Sequence, residues 1–410
     1  SNLKKGDYLI SFISSKNLDF LGKKITNEFE FFSENKKTSL KINKNLMRLI
    51  GYYLAEGHAT ETNNMIGFAF NKKETKYIND VKNLLKSLPK FSAKIRDCFP
   101  NKGSHQIVFY SKEWFNFFNN HCGIKKNKHV PDFMWSVSKN YFKEMLKAYI
   151  RGDGDKNSPW YKTTKSVSHR LSTELLWLCK LHSIPCNIYE EYGKPHKLPQ
   201  GNFFKGSHTY NLKILRADIG IKEFNRKRKK LTKFPSCRTF PIDGLKEVYY
   251  KIKPGKFIKH RDERSTIFKK RANLERITKV ISWFENFHTL PIYQDSRNII
   301  DSYKKICNGD ICVLPIRKIL KREKTEKVYD LSVSETERFF GNYYPVLLHN
   351  SGNNGIHIGI PFESFPLIVN NKETKYLFPE SIRVVTSYLK DFIKEHLRQK
   401  ILDNYSLEDL

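Results

Sequence analysis

Apolar positions recur at helical spacing in two short stretches that look like copies of each other. The first runs Leu49-Ile50-Gly51-Tyr52-Tyr53-Leu54-Ala55-Glu56-Gly57, and the second Leu146-Lys147-Ala148-Tyr149-Ile150-Arg151-Gly152-Asp153-Gly154. Each predicts a helix that ends in an acid followed by Gly, and the Gly is expected as a left-handed C-cap. Small residues stand four apart in both, Gly51 with Ala55 and Ala148 with Gly152. Positions four apart share a helix face, so the two helices are expected to pack backbone to backbone. Glu56 and Asp153 then emerge side by side, and two converging carboxylates suit a hard divalent cation. The bland alternative is a pair of unrelated buried helices that each stop at a Gly; the duplicated spacing argues against it.

The pattern around these stretches also repeats. After the first come strand-like runs at 66–70 and 106–110, a helix pattern through Tyr77, Val81, Leu84 and Leu85, an aromatic helix at 114–118, and the segment Lys125-Lys126-Asn127-Lys128-His129-Val130-Pro131. After the second come strand-like runs at 160–167, 186–189 and 210–215, with Leu171, Leu175 and Leu178 at helical spacing. Helices are also predicted at 274–287 and 296–306. The chain opens on a turn and a strand (Leu3 to Ile10), and Val328 to Val333 alternates as a strand does.

Composition changes the picture in two ways. At 410 residues the chain exceeds one ordinary core, so two or three domains are expected. A formal net charge of +32 points to a polyanionic partner, and aromatic residues at 14% favour folded domains over a basic disordered tail. The most basic stretch runs from Arg226-Lys227-Arg228-Lys229-Lys230 through Lys251–Lys259 to Arg261–Arg271. A membrane-surface role is disfavoured, because no apolar run reaches the ~18 residues that span a bilayer. Seven scattered cysteines (98, 122, 179, 186, 237, 307 and 312) form no CxxC pair, which argues against a zinc site or a disulfide framework and implies a reducing cytoplasm. No signal peptide is recognisable.

The duplicated stretch resembles the LAGLIDADG homing endonucleases in their two-motif, single-chain form. The resemblance implies an α+β fold: a pseudo-twofold αββαββα repeat, at 46–138 and 142–230 within 46–230, whose strands form a curved saddle for double-stranded DNA. It further implies Mg2+ held by Glu56 and Asp153, a catalytic lysine at Lys128, and a monomer. Glu56 is a mild departure at the catalytic acid position, and Arg151 departs at a position that is not the acid. The second-repeat lysine stays open among Lys227, Lys229 and Lys230. Region 231–310 is expected to be a basic extra DNA-contacting part.

A second resemblance lies downstream. Val328-Tyr329-Asp330-Leu331-Ser332-Val333, then Phe339, then Leu347-Leu348-His349-Asn350-Ser351 resemble the C-terminal splicing blocks of inteins. The chemistry explains the residue types. An Asn side-chain amide can attack its own carbonyl carbon, a neighbouring His can act as general acid, and a hydroxyl must follow to accept an ester. The resemblance assigns those roles to Asn350, His349 and Ser351 and an assisting role to Asp330, with Glu337 standing where many members have His. It implies a partial β-rich splicing (Hint) domain from 1–45 and 311–350. No N-terminal splicing block is seen, so a missing or separate N-terminal segment is expected as a partner. Ser351-Gly352-Asn353-Asn354-Gly355-Ile356-His357 resembles archaeo-eukaryotic primase small subunits, making 351–410 host sequence. Two alternatives stay open: a DNA-binding splicing element whose nuclease is inactive, and a fragment of a primase precursor.

Overall fold

The computed structural model describes residues 3–13, 28–33, 36–88, 92–154, 161–197, 203–204, 206–215, 239–253, 260–320, 338–349, 368–369 and 372–373. It mixes helices and strands throughout. The chain divides into two units, one of residues 1–325 with 339–348, the other of 326–338 with 349–410.

The first motif stretch lies in helix α1 (Lys44–Glu56), which starts where the Asn43 side chain accepts the Leu46 N–H at 2.9 Å. Strands β1 (Tyr8–Phe12), β2 (Glu28–Ser33) and β3 (Lys36–Lys41) precede it. The chain then runs through β4 (Gly57–Thr60), β5 (Met65–Asn71), α2 (Thr75–Lys86), β6 (Arg96–Cys98), β7 (Ser104–Tyr110) and α3 (Lys112–Cys122). The four strands form an antiparallel sheet in the order β4-β5-β7-β6. Its register pairs Ile66 with Phe109 and Phe68 with Ile107, all fully buried, so alternate residues of β5 and β7 line the core.

The second motif stretch lies in α4 (Lys139–Asp153), followed by β8 (Tyr161–Ser166), α5 (His169–Leu181), β9 (Cys186–Gly193), the short pair β10 (His196–Lys197) and β11 (Phe203–Phe204), and β12 (Ser207–Leu215). Here the sheet has three strands, β8-β12-β9. An antiparallel bridge between Gly154 and Thr164 joins the end of α4 to β8. Residues 155–160, and 216–238 with the three candidate lysines, lie outside the described residues. Side chains from both halves share one core: Ile50, Tyr53, Phe68 and Phe118 from the first, Met145, Tyr149, Leu175 and Leu212 from the second.

A separate core gathers Phe240, Val248, Ile267, Val280 and Phe284. It is built by the pair β13 (Thr239–Pro241) and β14 (Arg271–Asn273) and helices α6 (Asp243–Ile252), α7 (Arg261–Ile267), α8 (Leu274–Glu285) and α9 (Pro291–Asn308). The predicted helices at 274–287 and 296–306 correspond to α8 and α9. α9 starts five residues earlier than its pattern because Pro291 suits the first helical turn.

β1 pairs antiparallel with β15 (Ile311–Pro315), Ile10 facing Val313. Lys180 of α5 is buried against this pair. Its ammonium donates to the Phe12 carbonyl at 3.1 Å and lies 4.6 Å from the centre of the Tyr344 ring. β16 (Arg338–Gly341) and β17 (Val346–His349) form a two-stranded sheet. In the second unit, Ile368–Val369 pairs with Lys372–Glu373. Asp330, Glu337, Asn350, Ser351 and His357 lie outside the described residues. Among the described residues no helix is long and apolar enough to cross a membrane, and the six described cysteines are free thiols.

His182, at the end of α5, is 1% exposed and stacks on Phe142 with ring centres 4.7 Å apart. Neither ring nitrogen has a hydrogen-bond partner. Burial, helped by the Lys139 charge, pushes it down to about 4 from 6.5. Between those values the unfolded chain binds a proton that the folded one refuses. Stability is therefore full above pH 6.5, falls as the pH drops toward 4, and levels off below it. The gap corresponds to about 3 kcal/mol. The melting temperature is expected to drop between pH 7.5 and 4.5, and to drop markedly less in His182→Phe. Parallel curves for the two proteins would contradict this account.

Candidate functional site

The site begins with the crossing of α1 and α4. A Cβ on Gly51 would stand 2.2 Å from the Met145 carbonyl oxygen and 2.7 Å from the Ala148 Cβ. One on Gly152 would stand 2.6 Å from the Ala55 Cβ and 2.9 Å from the Glu56 Cγ. No side chain fits in either gap, so the two backbones are in direct contact. The small residues meet crosswise, Gly51 with Ala148 and Ala55 with Gly152, and Glu56 is set beside the residue preceding Asp153.

The two terminal glycines do this differently from the expectation. Gly57 has φ −76° and Gly154 φ −87°, so neither is left-handed. Each continues directly into extended backbone while its N–H still bonds the last turn, at Tyr53 O and Ile150 O. The reason for Gly is crowding: a Cβ would lie 2.5 Å from Tyr53 O and 2.2 Å from Ile150 O.

Electrostatics tie three groups together. Asp153 is pushed up to about 7, first by burial and then by the negative charge of Glu56; the Lys128 charge and the Tyr149 hydroxyl oppose the rise. Lys128 is pushed down to about 8 by burial, against the pull of Asp153 and Glu56. Its ammonium donates to the Tyr53 and Leu54 carbonyls at 2.9 and 3.0 Å, the C-terminal end of α1. The loop that carries it is tightly fixed. Gly123 has φ +68°, where a Cβ would lie 2.2 Å from Asn127 O. The Tyr53 hydroxyl donates to Gly123 O at 3.1 Å, and the Ser168 hydroxyl donates to the Lys128 carbonyl.

Several neighbours are not evident from the motifs. Tyr149, one turn before Asp153, hydrogen-bonds it and also reaches Thr164 and Ser166 on β8. Tyr52, at the matching place before Glu56, instead donates to Asp80 at 2.9 Å, and Asp80 also pairs with Arg48. Arg151 reaches the same Tyr52 phenol, so it ties α4 to α1. His58 on β4 is held below its ordinary value by burial and by the Lys128 charge. The i, i+4 spacing of Tyr149 and Asp153 was the one available sequence signal; the others are long-range contacts. Among the described residues no three His, Cys, Asp or Glu side chains cluster as a closed metal site. His349 lies exposed at the end of β17.

No family model matches the chain. An uncharacterised protein of Methanocaldococcus jannaschii is 35% identical over 182 residues, 40% of this chain and 20% of that protein. The replication factor C small subunit of the same organism is 22% identical over 383 residues, 87% of this chain and 18% of that protein. An iron-sulfur cluster assembly SufBD family protein of Mycobacterium tuberculosis is 32% identical over 143 residues, 33% of this chain and 16% of that protein. The chain thus spans a fifth or less of the length of these relatives. Among solved structures, the homing endonuclease I-DmoI is matched at TM-score 0.30 and 12% identity, over 43% of this chain and 85% of that one. Full-length WhiA from Thermatoga maritima is matched at TM-score 0.31 and 14% identity, over 64% of this chain and 92% of that one. Likenesses this slight leave the function to the residues themselves.

Proposed function

We propose that the chain is an intein-type element carrying a Mg2+-dependent endonuclease for double-stranded DNA. The observation that carries this reading is the contact of α1 with α4 at Gly51 and Gly152, which gathers Glu56, Asp153 and Lys128 at one place. The donor set fits the ion. Asp153, whose proton affinity is raised by burial and by the Glu56 charge, would be relieved by a divalent cation, which the two carboxylates would hold together with water and phosphate oxygens. When bound, Mg2+ supplies Lewis acidity toward the scissile phosphate and a more acidic water.

The chain's own groups do the rest. Glu56 and Asp153 would hold the ion, with Asp153 oriented by the Tyr149 hydroxyl. Lys128, anchored on two α1 carbonyls, places a positive charge beside the carboxylates, where a phosphate gathers charge during cleavage. DNA lies across the sheets β4-β5-β7-β6 and β8-β12-β9, whose other faces are occupied by the core.

Two further observations support the splicing half of the reading. A chain that matches a replication factor and an iron-sulfur cluster assembly protein over a fifth or less of each has the distribution expected of an element inserted into unrelated hosts. The β1–β15 pairing brings segments from both sides of the nuclease region into one sheet, as a nuclease inserted into a splicing fold requires. In this reading Asn350 cyclises with His349 as general acid and Asp330 assisting, and Ser351 accepts the ester.

The test is incubation of the chain and Mg2+ with the host gene from which this element's coding sequence has been removed. A double-strand break at the insertion junction is expected; intact substrate with both Mg2+ and Mn2+ would end the nuclease assignment. Binding to that duplex, followed by anisotropy in chelator, is expected to weaken with salt at a log–log slope steeper than about −4, because several Lys and Arg displace counterions. A shallower slope would argue against a phosphate-lined saddle. For splicing, mass spectrometry is expected to reveal a slowly accumulating fragment that starts at Ser351. Its appearance in Asn350→Ala at the same rate would remove Asn350 from the chemistry.

A further inference from the structure

The second core presents two aromatic rings to solvent that its packing does not use. On α6, Leu245, Val248 and Ile252 face inward, while Tyr250 is 55% exposed. At the end of α7, Ile267 is buried and the next residue, Phe268, is 51% exposed. The two rings lie 6.5 Å apart at 76°. Both are backed by Tyr249, at 5.7 Å from Tyr250 and 5.6 Å from Phe268, and Tyr249 packs on the buried Trp283 at 6.1 Å. Each exposed ring thus rests against Tyr249 on one side and leaves about half of its residue surface to solvent.

Lysines flank both rings in the sequence. Lys251, Lys253, Lys269 and Lys270 are all exposed. Lys251 pairs with Glu247 at 2.7 Å, which leaves Lys253, Lys269 and Lys270 as the exposed cations within three residues of the rings. Lys253 ends α6 with φ +46°, a left-handed conformation that Gly or Asn adopts at less cost. A basic side chain stands there in spite of the backbone. Ring faces with lysines beside them match a chain of bases and phosphates. A duplex offers phosphates to the lysines but hides its base faces, whereas a single strand offers both.

We propose that Tyr250 and Phe268, with Lys253, Lys269 and Lys270, form a stacking site for single-stranded nucleic acid. The site is distinct from the Glu56–Asp153 pair and stands whether or not the chain cuts duplex DNA. Bases of any identity stack on the two rings, and the lysines hold the intervening phosphates.

The full chain, in chelator to prevent cleavage, is titrated by anisotropy against a labelled oligothymidine of about 15 nucleotides, an abasic strand of equal length, and a duplex. Wild type is expected to bind the abasic strand about 30-fold more weakly than oligothymidine, since two stacked bases are lost. Tyr250→Ala/Phe268→Ala is expected to lose a similar factor toward oligothymidine, with duplex affinity changed less than about twofold. Tyr250→Phe/Phe268→Tyr keeps both ring faces and is expected to retain wild-type affinity. Equal binding of abasic and base-bearing strands by wild type overturns the proposal without recourse to any variant. So does an alanine variant of unchanged circular dichroism that loses duplex and single strand equally, because a general phosphate surface would then account for the binding. Cleavage of duplex with Mg2+ is scored separately, so failure of one assignment leaves the other standing.

Discussion

Asp153→Asn or Glu56→Gln is expected to abolish double-strand cleavage while leaving duplex binding within a fewfold of wild type. In the proposed site each would remove one of two protein ligands for the ion, and with it several kcal/mol of charge stabilisation on the phosphate, or on the order of a 10³-fold loss in rate. Binding rests on many phosphate contacts and is barely touched by one carboxylate. The stability of the same variants separates a catalytic acid from a structural one. Asp153 has its proton affinity raised to about 7, so the folded state holds a proton that the unfolded chain releases between pH 3.8 and 7. Its ionisation therefore costs stability as the pH rises through that window. The Asp153→Asn substitution removes that cost, and at pH 8 without metal the variant is expected to melt no lower than wild type. An acid kept against stability is a mark of function. Full cleavage by Asp153→Asn, or a marked fall in its melting temperature in chelator, would each count against the assignment.

What the sequence disclosed here was whatever is local or duplicated. The two motif helices were legible because the same small-x-x-x-small spacing occurs twice, and two such faces have few other ways to pack. Their crosswise contacts at Gly51 and Gly152 follow from that spacing. The conformation of Gly57 and Gly154 did not. An acid-Gly helix end suits either a left-handed cap or a direct run into a strand, and only crowding against Tyr53 O and Ile150 O shows why Gly is needed. Lys128 was legible as a residue but not as an arrangement, since its carbonyl and ammonium are fixed by Ser168, Tyr53 and Leu54, far away in the chain. The β1–β15 register and the burial of Lys180 against it join segments more than a hundred residues apart, and no periodicity encodes such partners. The pairing of Arg151 with Tyr52 is of the same kind, and it gives a structural task to a residue that the motif alone leaves without one.

Gly51→Ala is expected to destabilise the fold strongly, although helix propensity alone predicts the opposite. Replacing a mid-helix Gly by Ala favours the helix by about 1 kcal/mol. Against this, the new methyl would sit 2.2 Å from Met145 O, 2.7 Å from the Ala148 Cβ and 3.0 Å from Tyr149 N. Two of these are backbone atoms of α4, which cannot turn aside as a side-chain end can, so the helices must separate along their whole contact. Overpacking of this kind costs about 3 kcal/mol at the upper end of its range, and a net loss of about 2 kcal/mol lowers the melting temperature by about 4–8 °C. Separation also draws Glu56 away from Asp153, so cleavage should fall further than stability does. Adding Ala148→Gly supplies a control. It removes the 2.7 Å contact but not the one with Met145 O, so it is expected to recover only part of the loss. Calorimetry of the single and double variants decides between the two effects. A melting temperature for Gly51→Ala equal to or above wild type would mean that helix propensity outweighs the contact, and that the backbones of α1 and α4 do not touch at Gly51.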